Sequence, residues 1–147
     1  MNAKPHRSQK PLDRINRCVP LRAAVLTTLM ATAAPLWAFD VPSGQVIDLQ
    51  EVLIDDTSGT SILRFRFLAP EIARDGGTMS YVDSAPDIES LCANTVVPYI
   101  AEYALTPEVV VISLADRAVE FGQPDPDATQ FFDAFRIEND TCIWEAF

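Results

Sequence analysis

Residues 23–34 (AAVLTTLMATAA) form an apolar run well short of the roughly 20 residues that a bilayer-spanning helix needs, and Pro35 ends it. Six basic residues (Lys4, Arg7, Lys10, Arg14, Arg17 and Arg22) precede the run, and the small Ala38 stands ahead of polar chain. Charged region, short apolar region and small residue together predict a secretory signal peptide over residues 1–38, cleaved after Ala38. This division decides how much chain there is to fold. It leaves one small domain, residues 39–147, with no membrane span once the leader is gone.

The 109 residues from Phe39 onward carry 20 Asp+Glu against five Arg, with neither Lys nor His, so their net charge is −15. Such a balance repels phosphate backbones and anionic lipid, which argues against nucleic acid and leaves a protein or an envelope component as the partner. The missing residue types remove reaction classes as well. Ser-His-Asp and Cys-His nucleophile systems, Schiff-base and P-loop lysines, and zinc sites of the usual His/Cys kind each lack a required member.

Cys18 belongs to the leader, so Cys92 and Cys142 are the two cysteines of the domain. An even count in a chain bound for an oxidising compartment predicts one disulfide. A reactive thiol would need a basic neighbour to lower its pKa, and no His or Lys is present to serve.

Periodicity outlines the elements. Residues 46–54 read as a strand whose alternation slips near Glu51, and residues 55–60 (DDTSGT) as a turn. Residues 62–68 (ILRFRFL) alternate cleanly, with Leu63, Phe65 and Phe67 on one face and Arg64 and Arg66 on the other. A hairpin of these two strands sets Asp48 and Gln50 near the arginines. Residues 69–77 allow one helical turn before Gly76-Gly77, and residues 78–82 a short strand. Ser84 with Asp87 three residues later predicts a helix start, with Pro86 in the first turn. Ile88, Leu91, Cys92, Thr95, Tyr99 and Tyr103 form the helix's buried stripe, and Pro98 should kink or end it.

Residues 109–114 (VVVISL) predict a strand in mid-sheet with both faces covered, and residues 118–121 a short edge strand. A loop over residues 122–128 leads to a hairpin of residues 131–138 and 141–147 around Asn139-Asp140; Asp127 with Gln130 offers a rival short helix over 130–135. The two-residue turn opposes Ile137 to Cys142 and Phe135 to Trp144, which places Cys142 on the apolar face. Cys92 lies on the helix's apolar stripe, so a helix packed across the sheet brings the two cysteines together. The expected fold is therefore α+β: an antiparallel sheet of five or six strands with one main helix on one face, stapled by Cys92–Cys142.

Candidate sites are few. Asp125 and Asp127 in the proline loop, with Asp116 or Glu120, are oxygen donors of the kind calcium takes, although EF-hand spacing fails because Gln130 and Arg136 stand where Gly and Glu are needed. Arg64 and Arg66 could grip an anionic partner, while Phe132 and Phe147 fall on the face opposite Cys142 and suit a partner surface. The leading expectation is a non-catalytic binding domain, periplasmic or secreted, with no cofactor. A divalent-cation-binding protein and a small carboxylate-dependent hydrolase are the alternatives.

Residues 112–122 (ISLADRAVEFG), Asp125-Pro126-Asp127, Gln130-Phe131-Phe132 and the ending Cys142-Ile143-Trp144-Glu145 carry a resemblance. With them the chain resembles a family of small exported proteins of unknown function from marine alphaproteobacteria. That resemblance implies export and supplies no site residues.

Overall fold

The computed structural model describes residues 39–146. The leader expected over residues 1–38 and the candidate Phe147 lie outside the described residues. Five strands, β1 (Asp48–Asp55), β2 (Ile62–Leu68), β3 (Val109–Ala115), β4 (Gln130–Glu138) and β5 (Thr141–Glu145), form one sheet in the order β1-β2-β3-β4-β5. Between β2 and β3 run α1 (Tyr81–Leu91), a π-helical turn (Cys92–Val96) and α2 (Val97–Glu102) without a break.

β1 and β2 pair antiparallel, and the slip in alternation is a bulge between Leu49 and Glu51. The extra residue shifts the register, so Arg64 pairs with Asp55 and Arg66 with Glu51 rather than with Asp48, while Gln50 lies beside Arg66 as expected, both donating to the Val119 carbonyl. Leu63, Phe65 and Phe67 are fully buried beneath the helix, as their alternation requires.

The helix starts four residues earlier than expected. The motif Ser-x-x-Asp occurs twice, at 80–83 and at 84–87, and the first copy caps: Ser80 accepts from the Asp83 amide while the Asp83 carboxylate accepts from the Ser80 amide. Residues 78–82 consequently form no strand, and Pro86 sits inside the helix rather than in its first turn. Ser84 and Asp87 become interior residues with no exposure. Asp87 accepts from the Ser43 amide (2.9 Å), the Ser43 hydroxyl (2.5 Å) and Gln45 Nε2 (2.6 Å), and so ties the lead-in chain to the helix.

Pro98 neither ends nor starts the helix. The π-turn before it accommodates the missing N–H and rotates the following residues, so that Val96 takes the buried place expected of Thr95 and Tyr103 is exposed. Ile88, Leu91 and Cys92 keep their buried places.

β2 and β3 pair in parallel, so the sheet is mixed and not antiparallel. A strand followed by a helix and a further strand of buried β-branched residues is a crossover unit, and a helical crossover returns the chain in the same direction. β3 is central as expected, covered on both faces. β4 and β5 form the expected hairpin with Ile137 opposite Cys142 and Phe135 opposite Trp144, which excludes the short helix over 130–135. Its turn residues Asn139 (φ 51°) and Asp140 (φ 59°) are both left-handed, as a type I′ turn demands. Cys92 and Cys142 are disulfide-bonded with Cα atoms 6.3 Å apart, joining the π-turn to an edge strand.

Candidate functional site

The face of the sheet away from the helix is the place where sequence-distant side chains converge. β2 contributes Ile62, Arg64 and Arg66 to it, β3 contributes Val109, Val111 and Ser113, and β4 contributes Gln130 and Phe132. The connection between β3 and β4, residues 116–129, is far longer than a hairpin turn needs, and it doubles back over this floor. Residues 118–121, expected as an edge strand, belong to this connection and pair with no strand. The loop's base is closed by the Asp116 amide donating to the Thr129 carbonyl (3.0 Å) and the Thr129 amide donating to Asp116 Oδ1 (3.1 Å). Its crest is held at one carbonyl. Val119 O accepts from Arg66 Nη2 (2.8 Å) and from Gln50 Nε2 (2.9 Å).

Between loop and sheet lies a cleft of about 560 Å³, a volume within the range of small-ligand sites. Phe121 projects over it with its ring centroid 5.6 Å from the guanidinium carbons of both Arg64 and Arg66, a cation–π arrangement. Ser58 and Thr60 from the β1–β2 turn and Gln123 from the loop form a neutral polar rim.

Both arginines already have carboxylate partners. Arg64 donates from Nε (3.0 Å) and Nη2 (2.9 Å) to Asp55, and Arg66 donates to Glu51. The Thr57 hydroxyl and amide and then Arg64 hold the Asp55 carboxyl below its ordinary range. Among the lining residues only Glu120 adds an acid. Both arginines of the cleft are thus charge-matched, its floor is largely apolar, and three of the partner candidates, Arg64, Arg66 and Phe132, line it together.

The cation candidates are dispersed. Asp116 pairs with Arg117 at 3.0 Å, and that hydrogen bond is the main reason its carboxyl lies below the usual range. Asp125 accepts from the Asp127 amide (3.0 Å) within its own loop, and Glu120 faces the cleft. Arg117 is raised above its ordinary value, first by Asp116 and then by the charges of Asp125 and Asp127. Among the described residues no group of three or more His, Cys, Asp or Glu could hold a metal ion.

One polar cluster escaped the sequence reading. Asp133 Oδ1 accepts from the Tyr81 hydroxyl (2.8 Å) and from Trp144 Nε1 (3.1 Å). A signal for it existed: Asp133 interrupts the apolar set Phe131, Phe135 and Ile137 on the face of β4 that looks toward the helix. Val119 and Phe121 carried no comparable signal, because a loop has no periodicity to read.

Among the described residues no helix is long and apolar enough to cross a membrane. No curated protein and no solved structure gives a significant match to the chain. A model of a family of unknown function, DUF6497, matches residues 22–147, and the chain belongs to that family.

Proposed function

We propose that residues 39–147 form an exported, non-catalytic binding domain of the periplasm or the medium, and that its open-face cleft receives an uncharged apolar side chain of a protein partner. One observation carries this reading: the cleft combines an apolar floor of Ile62, Val109, Val111 and Phe132 with arginines whose charges are matched by Asp55 and Glu51. A charged ligand would have to break those pairs, whereas an apolar group seats on the floor and keeps them. The leader expected from the sequence over residues 1–38 and the disulfide support an oxidising compartment. The calcium reading lacks a built site, since among the described residues no group of three or more His, Cys, Asp or Glu could hold a metal ion.

A photo-crosslinking residue in place of Phe132 tests the proposal in the native envelope and medium, with the same residue in place of the exposed Asn94 on the helix as control. A discrete crosslinked protein from position 132, lost when Val111 is changed to Ser, is expected. In parallel the neutral dye N-phenyl-1-naphthylamine should bind one to one and be displaced from the Phe132→Ser protein. Equal crosslinking from both positions, or dye binding indifferent to Phe132, overturns it.

A further inference from the structure

Asp133 and Asp87 are both buried carboxylates, with 8% and 0% exposure, yet they are used differently. Asp87 engages both oxygens with donors of the lead-in chain. At Asp133 both donors go to Oδ1, and Oδ2 receives no hydrogen bond among the described residues. Nor is Oδ2 one of the sealed, unpartnered polar atoms of the interior. A carboxylate buried to this degree ordinarily acquires a cation or, as Asp87 does, donors on both oxygens. Among the described residues no arginine pairs with Asp133: Arg64, Arg66, Arg117 and Arg136 have other carboxylate partners.

The surroundings favour a cation from outside. Tyr81 and Phe131 meet edge to face with centroids 5.7 Å apart, and Trp144, 56% exposed, reaches the same carboxylate oxygen as Tyr81. Aromatic ring faces attract cations, a lysine ammonium among them. The Tyr81 hydroxyl is raised above its ordinary range, first by its hydrogen bond to Asp133, then by burial, and last by the charges of Asp133 and Glu89, so Glu89 adds to the negative potential there. The net charge of −15 steers cations to the domain as a whole.

We propose that Asp133, Tyr81, Phe131 and Trp144 form a recognition site for an organic ammonium group, the side chain of a lysine on a partner protein. The ammonium donates to Asp133 Oδ2, and its methylene stem lies against the rings. The site is separate from the open-face cleft, since Asp133 and Trp144 belong to the helix-covered side of the sheet, and it stands or falls independently of the cleft's role.

The probe is Nα-acetyl-lysine N-methylamide, with the norleucine analogue as its uncharged counterpart at equal ionic strength. The readout is the indole N–H resonance of Trp144 in the full chain, assigned by Trp144→Phe. The lysine compound should shift it saturably and the norleucine compound should not. Asp133→Asn should weaken binding about tenfold or more, as loss of a charged hydrogen bond does. Tyr81→Leu, at a half-exposed position that does not endanger folding, should weaken it several-fold. No saturable shift, an equal response to norleucine, or unchanged affinity in the Tyr81→Leu protein overturns the proposal.

Discussion

Arg66 Nη2 lies 2.8 Å from the carbonyl oxygen of Val119, a hydrogen bond across 53 residues that holds the crest of the β3–β4 loop against the sheet. The guanidinium is nearly buried, with 9% of its side chain exposed, and also carries the Glu51 pair. One side chain thereby couples the bulge of β1, the strand β2 and the roof of the cleft.

Replacing Arg66 by Met should therefore open the roof while leaving the helix side intact. We expect amide exchange at 119–123 to accelerate by more than tenfold and the domain to lose about 2–3 kcal/mol, the usual cost of deleting a charged hydrogen bond and stranding its partner. Urea unfolding and hydrogen exchange measure both. Unchanged exchange at Val119 would show that the loop is held by other means.

The disulfide closes a loop between residues 50 apart in sequence. Chain entropy assigns such a closure about 4 kcal/mol, and the Cys92→Ala/Cys142→Ala protein should be destabilised by that order. The mass of the native protein should show two alkylatable thiols in residues 39–147 only after reduction.

The two copies of Ser-x-x-Asp should respond in opposite ways. Ser80→Ala removes the cap and should cost about 1 kcal/mol. Ser84 is fully buried with its Oγ unpartnered, so Ser84→Ala relieves an unpaired hydroxyl and installs the best helix former; it should be neutral or stabilising. Thermal midpoints that fall equally for both would contradict the assigned helix start.

Acid should weaken the domain through Asp55, among others. Its carboxyl is held below 3.8, first by the Thr57 hydroxyl, then the Thr57 amide and Arg64. A group whose folded pKa is depressed stabilises fully above its unfolded pKa, and that contribution is lost as pH falls through the folded value. Thr57→Val should make the loss of stability between pH 5 and pH 2, about the carboxylate range, shallower than in the parent protein. Urea midpoints across that range read the difference.

Much of the architecture was legible in local pattern. The alternation of residues 62–68 placed Phe65 and Arg66 on opposite faces, and the slip near Glu51 was the bulge. The Asn139-Asp140 turn dictated the register that set Cys142 opposite Ile137, and with it the disulfide to Cys92. These are properties of period and turn chemistry, which neighbouring residues decide among themselves.

What the tertiary structure alone decided are the choices between locally equivalent options. Two identical capping motifs stood four residues apart, and packing of Ile88, Leu91 and Cys92 on the sheet, with Asp87 tied to Ser43 and Gln45, selected the first. The parallel return of β3 beside β2, the loop folding over Arg66, and the meeting of Tyr81, Asp133 and Trp144 each join segments far apart in the chain. Periodicity says which face a side chain takes, and only the closing of those long loops says what it will face.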